Sequence, residues 1–308
     1  MKALVTGASG PRLESVAEPQ PRPDQALVEV RAIAVNRGEL ALMGQLPAGS
    51  RLGWDVAGTV LRAAADGSGP PAGTRVTALA DRDGWAERVA VSPTRLAPVP
   101  DSVDWPAAAA LPVAGLTALY ALEYAGVLLG RSVLVTGAGG GVGRTLVQLA
   151  AAAGADVLAQ VGSPGRAEGL RALGARSVTT YDETDADAVN GEPVDVLLDS
   201  SGGQVLNRAF RRLRPGGTLV AYGNTAREEL RLTVDWGHAR PGLHIRYLHL
   251  FDELTRRAPA GDLTALVRLV TTGRLDPQLA SVGSWIDPGP ALDALRDRKA
   301  NGKVVLTL

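Results

Sequence analysis

The chain has 308 residues, 32 basic and 32 acidic side chains, and no cysteine. That length accommodates two domains, each with its own core. Balanced charge gives no reason to expect nucleic acid or an acidic membrane as partner, and the lack of thiols excludes disulfides and cysteine-ligated zinc, so small molecules are the expected ligands.

The opening, MKALVTGASG, turns polar too soon for a signal-peptide core. The longest apolar-rich run, residues 107–130, contains Pro112 and Glu123, which argues against a membrane span. A soluble cytoplasmic protein is expected. Residues 1 to about 100 read as β-rich, with strands at 1–5, 25–34, 55–63, 75–79 and 86–91 and a turn at 81–84. From Pro106 the pattern changes to two helices, broken near 113–115 and ending by 129. Strands at 132–135, 156–161, 177–180, 194–198 and 218–222 then alternate with helices at 142–150, 166–173 and 204–213, the succession of a doubly wound parallel sheet. The apolar stretch 243–250 reads as a sixth strand. A helix at 262–272, a strand at 284–286, a helix at 290–299 and a strand at 304–308 close the chain, and these last pieces are expected to return to the first domain.

The motif that organises the chain is SVLVTGAGGGVGRTLVQLAAAAG, residues 132–154. An apolar strand, a glycine turn and an apolar-periodic helix make a phosphate cradle, because the first amides of a helix lack intrahelical partners and sit at the positive end of its dipole. Read as G-x-G-x-x-G, Ala138 replaces the first glycine, Gly140 and Gly143 are the second and third, and Gly139, Gly141 and Val142 fill the loop. In this fold an acid at the end of the next strand binds the ribose of NAD. Here that strand ends in Gly162-Ser163 with Arg166 following. A hydroxyl and a guanidinium suit a 2′-phosphate, which favours NADPH as cofactor. Ser163 also suits a helix cap before Pro164, and both readings stand together.

These residues resemble a zinc-free medium-chain dehydrogenase/reductase of the quinone oxidoreductase type, a group that also holds enoyl reductases and zeta-crystallins. The matching stretches are AVNRGEL (34–40), GWDVAGTV (53–60), LPVAGLTALYAL (111–122), VTGAGGGVG (135–143), LGARSVTTY (173–181), DVLLDSSGG (195–203), LRPGGTLVAYGN (213–224) and NGKVVL (301–306). The resemblance implies an α/β protein: a β-rich GroES-like catalytic domain from residues 1–112 and 250–308, a Rossmann domain at 113–249, NADPH, and a homodimer. In zinc alcohol dehydrogenases the stretch at Gly53-Trp54-Asp55 would carry a zinc-ligating histidine and a glutamate. Trp54 takes the histidine's place, so no metal is expected. By position, Asn36 and Thr117 match residues that approach the nicotinamide. Ser163, Arg166 and Tyr181 match the 2′-phosphate pocket, while Ser200, Tyr222, Gly223, Asn224, Asn301 and Lys303 match later cofactor contacts. Without the resemblance, Asn36 reads as a turn residue, Thr117 as a helix cap and Tyr181 as a half-buried aromatic. Many relatives carry an aspartate and a tyrosine where this chain has Glu39 and Ala41. A tyrosine acid is thus missing there, and a proton must come from another side chain, the substrate or water.

His238, His244 and His249 are the only histidines. On one strand, His244 and His249 would face opposite ways, against a shared metal, leaving His249 as a candidate proton donor. Trp54, Trp85, Tyr222 and Tyr247 are candidates for an aromatic slot or for core packing. The function expected is NADPH-dependent, metal-free hydride transfer to an activated C=C of an enone or enoyl group, polycyclic ones included. The alternatives are a quinone reductase and a non-catalytic NADPH-binding protein.

Overall fold

The computed structural model describes residues 1–7, 10–182, 192–231 and 241–308. They form two compact units, Met1–Leu116 with Arg257–Leu308, and Thr117–Arg256. No described helix is long and apolar enough to cross a membrane.

The first unit opens with an antiparallel pair, β1 (Lys2–Val5) and β2 (Arg12–Ser15). β3 (Ala26–Val35) runs into a short helix, α1 (Arg37–Met43), and β4 (Asp55–Arg62), β5 (Arg75–Leu79), β6 (Arg88–Val91) and β7 (Leu96–Pro98) follow. β3 alternates at its start, burying Ala26, Val28 and Val30, then buries every residue from Ala32 to Val35. Trp85, with Leu4, Ile33, Val56 and Val304, lies in this unit's core and so lines no slot. Gly53 has φ +117°, and a Cβ there would sit 2.2 Å from the Trp85 amide nitrogen, so only glycine permits the turn that delivers Trp54 and Asp55 to β4.

Asp104 caps α2 (Trp105–Ala109) by accepting the Ala107 N–H at 2.7 Å, with Pro106 in the first turn. α3 (Pro112–Ala125) begins on a proline, which places the helix break at 110–111 rather than 113–115.

In the second unit, β8 (Ser132–Thr136), α4 (Gly141–Ala152), β9 (Asp156–Val161), β10 (Ala175–Thr180), β11 (Val194–Asp199), α5 (Gly203–Phe210), β12 (Leu213–Ala221) and β13 (His244–Tyr247) build one six-stranded sheet. Its order is β10-β9-β8-β11-β12-β13 and every pairing is parallel, the strand order of a Rossmann sheet. Two expectations fail here. No regular helix spans 166–173: Pro164–Arg166 is a single 3₁₀ turn, and Gly169 at φ +75° keeps the chain in turns. The sixth strand stops at Tyr247, because the chain turns into α6 (Leu250–Glu253) with His249 at its N-cap. His244 and His249 therefore share no strand, and the argument from their parity lapses; His238 lies outside the described residues.

The chain then passes through α7 (Ala260–Thr271), β14 (Leu279–Ser284), α8 (Gly289–Arg296) and β15 (Lys303–Thr307). β14 ends where a strand was expected to begin. β15 lies antiparallel to β3, with Val304 opposite Val35, giving the first unit the order β14-β15-β3-β4-β5-β7 with β6 also on β3.

Candidate active site

In the second unit the chain leaves β8 through Gly137, φ +64°, and passes Ala138, Gly139 and Gly140 before α4. The closeness of this turn is measurable. A Cβ on Gly139 would lie 2.9 Å from the Arg166 carbonyl oxygen, and one on Gly143 would lie 2.4 Å from the Gly137 carbonyl oxygen and 2.6 Å from Ala138 Cα. Ala138, at the first glycine of the fingerprint, is fully buried and donates its N–H to the Gln160 carbonyl at 3.0 Å. The first N–H of α4 to reach a helical acceptor is that of Arg144, on the Gly140 carbonyl at 2.9 Å. The amides of Gly141, Val142 and Gly143 thus stand open at the positive end of a three-turn helix, a site suited to phosphate. Gly143→Ala should force α4 off β8 against unyielding backbone, costing about 1–3 kcal/mol in urea denaturation. Dinucleotide binding should be lost in the same variant.

The sheet order reverses between β8 and β11, where ligands of open α/β sheets bind. There Asp199 is fully buried and accepts hydrogen bonds from the Thr136 hydroxyl and, at 2.9 Å, the Gly202 N–H. Burial holds its carboxyl above the ordinary value despite these donors. Ser200 sits beneath the loop, since a Cβ on Gly137 would lie 2.5 Å from its hydroxyl and one on Gly223 3.2 Å from its Cβ. The Tyr222 hydroxyl lies 3.5 Å from the Thr136 carbonyl, and burial pushes its phenol up. Asn224 is engaged locally, donating to the Glu228 carbonyl at 2.9 Å.

At the adenosine end, no carboxylate follows β9 between 162 and 166. Ser163 makes no cap bond, so its exposed hydroxyl is not used on the following turn. Arg166 packs on Gly139, and Tyr181 lays its ring 3.5 Å from the Cβ position of Gly162. The Tyr181 hydroxyl accepts the Gly137 N–H at 2.9 Å and meets the Ser201 hydroxyl at 2.8 Å.

The first unit holds a buried polar cluster at the junction of β3, α1, β4 and β15. Asp55 and Glu39 are fully buried and Lys303 is 4% exposed. The Lys303 ammonium donates to Asp55 Oδ2 and Asn36 Oδ1, both at 2.7 Å. Asn36 Nδ2 donates to Asp55 Oδ2 at 2.9 Å and Glu39 Oε2 at 3.1 Å. Backbone N–H groups complete the set: Asn36 to Glu39 Oε2 at 2.7 Å, Trp54 to Glu39 Oε1 at 2.8 Å, and Val113 to Asp55 Oδ1 at 2.7 Å. Both amide hydrogens and the carbonyl oxygen of Asn36 are therefore engaged inside the protein. Burial first, and Asp55 second, push the Glu39 carboxyl up to about 8, opposed by the Asn36 N–H, Lys303 and the Trp54 N–H. Trp54 lies over α1, its ring 2.8 Å from the Cβ position of Gly38.

The sequence reading gathered Asn36, Trp54 and Lys303 without linking them, and missed that Glu39 and Asp55 hold them together. One half of this was legible: Asn36-x-x-Glu39 before an apolar run is a capping-box pattern, and the Glu39 carboxylate does take the Asn36 N–H. Thr117 is buried in α3, Asn301 is half-buried just before β15, and His249 and Tyr247 are exposed. Among the described residues no three His, Cys, Asp or Glu side chains form a group able to hold a metal ion.

Residues 22–101 match the alcohol dehydrogenase GroES-like domain and residues 141–252 the zinc-binding dehydrogenase domain. The quinone oxidoreductase of Thermus thermophilus, solved also in complex with NADPH, is 30% identical, with a TM-score of 0.78 and 100% of both chains covered. A 2-haloacrylate reductase aligns with a TM-score of 0.84 at 26% identity, covering 100% of this chain and 99% of that one. The spectinabilin polyketide synthase system protein NorB of Streptomyces orinoci is 36% identical over 93% of this chain, which spans only 13% of NorB. Fold and relatives together define an oxidoreductase class with a GroES-like domain and a Rossmann domain. The chain belongs to the medium-chain dehydrogenase/reductase family, among its quinone oxidoreductases and enoyl reductases.

Proposed function

We propose that this protein is an NADPH-dependent reductase that delivers a hydride, without a metal, to the activated C=C of an enone or enoyl compound. The observation that carries the reading is the second unit's cradle. Open amides at Gly141, Val142 and Gly143 suit a pyrophosphate, and the uncapped Ser163 hydroxyl with Arg166 beside Gly139, in a 162–166 segment whose sequence holds no acidic residue, suits a 2′-phosphate. When bound, the cofactor supplies the hydride; the protein supplies binding and orientation. Asn36 has its side-chain amide engaged by Lys303, Asp55 and Glu39 within the first unit and no amide hydrogen left to offer, so charge developing on the acceptor oxygen falls to backbone N–H groups. With Ala41 where relatives place a tyrosine, water protonates the resulting enolate. The likeness to quinone oxidoreductases favours a second reading, reduction of a quinone on the same cofactor. The protein acts as a homodimer, for which the outer edge of β13, with Ile245 46% and Tyr247 71% exposed, is the candidate seam.

Side-by-side titration of NADPH and NADH tests the reading. The wild type should prefer NADPH, and Arg166→Ala should lose about 10- to 100-fold in NADPH affinity with NADH affinity unchanged. A saturated product from an enone separates the first reading from the hydroquinone of the second, and tight NADPH binding without turnover on either panel would overturn both.

A further inference from the structure

We propose that Arg144 is a positioning residue for the 2′-phosphate end of this site: from inside α4 it fastens the 163–170 turn against the glycine loop and so sets the discrimination between NADPH and NADH. The inference rests on the cofactor reading above and adds a residue that no fingerprint position assigns. Arg144 is only 4% exposed, a costly place for a guanidinium unless it is hydrogen-bonded, and it sits in the first turn of α4, where the helix dipole disfavours a cation. A helix whose neighbouring core positions are Leu146 and Val147 would pack an apolar residue there at no such cost.

What the arginine gains is the turn. Its Nη2 donates to the Glu168 carbonyl at 2.5 Å, and its Nη1 lies 3.4 Å from the Cβ position of Gly169. Gly169, at φ +75°, permits both the bend and the close approach. The turn has little regular structure of its own, since its bonds are of the i+3 kind: Arg166 N–H to the Ser163 carbonyl at 3.0 Å, Ala167 to Pro164 at 3.0 Å and Leu170 to Ala167 at 3.2 Å. Among the described residues, two further contacts hold it. Arg166 closes over the side-chain-free Gly139, and two residues later Arg144 grips the backbone, so the phosphate-facing residues Ser163 and Arg166 hang from α4 itself. The helix that receives the pyrophosphate also fixes the distance to the second phosphate.

The test is titration of NADPH and NADH on the purified chain for wild type, Arg144→Met, Arg144→Lys and Gly169→Ala. Arg144→Met should lose about tenfold in NADPH affinity while NADH affinity changes little, and Arg144→Lys, which keeps a donor for the Glu168 carbonyl, should recover part of the loss. Gly169→Ala sets a methyl group 3.4 Å from Arg144 Nη1 and strains the φ +75° turn, so it should show the same selective loss, which carries the test if Arg144→Met fails to fold. An equal loss for both cofactors, or none, in a wild-type background that prefers NADPH overturns the role of Arg144 alone. A wild type without preference overturns the cofactor reading and this proposal together.

Discussion

Lys303→Met should destabilise the protein by about 3–5 kcal/mol in urea denaturation at neutral pH, the scale seen when one partner of a buried ion pair is removed. The methionine fills most of the volume, so the loss is electrostatic rather than a cavity. Two fully buried carboxyl groups, Asp55 and Glu39, would face each other with only neutral donors around them, and Asn36 Oδ1 would lose its 2.7 Å donor. The loss should shrink as the pH falls, because a proton taken up by the cluster replaces the missing charge. A variant as stable as wild type at pH 8 would show that the ammonium contributes no net stability.

The second large effect is the pH dependence of the wild type. The folded protein holds a proton on Glu39 up to about 8, whereas an unfolded glutamate sheds it near pH 4.3. Between those limits the folded state binds more protons, so stability is fully present at the acid end and falls as the pH rises through the window. Linkage over that window amounts to at most about 5 kcal/mol, the opposing N–H donors being already part of the shift. Glu39→Gln removes the titrating group, so the difference in unfolding free energy between wild type and variant, measured from pH 5 to pH 8, should narrow steadily in the variant's favour. Parallel curves would mean that Glu39 is ionised throughout. The substitution itself should lower stability at pH 5, since one face of the glutamine amide meets the Trp54 or Asn36 N–H as a second donor.

Much of the cofactor unit was legible because its signals are local. A strand, a glycine turn and a helix lie within residues 132–154, and the order of strands and helices around them leaves few topologies open. The 166–173 segment was misread for an equally local reason: its alanines, leucines and arginines favour a helix, but Pro164 and Gly165 precede it, Gly169 at φ +75° interrupts it, and its backbone is held from outside by Arg144. The polar cluster of the first unit was not legible as a cluster, since its members come from positions 36, 39, 55 and 303 and meet only through register. Val304 pairs with Val35 and Ala34 with Asp55, so β3 is the ruler that brings Lys303 to Asp55 and Asn36. A charged residue at the head of an apolar strand, as Asp55 and Lys303 both are, is the trace that pairing leaves in a single sequence.

That strand pairing also orders events in time. Residues 117–256 form an unbroken stretch, while the first unit needs segments from both sides of it. Lys303 follows Asp55 by 248 residues, which at ribosomal speed is a wait of about 10–50 s. Throughout that interval Asp55 and Glu39 have no cation to bury with, and β3 has an open edge. The nucleotide-binding unit is thus the first that can close, and the nascent first unit, with its unpaired strand and uncompensated carboxylates, is where chaperones would act.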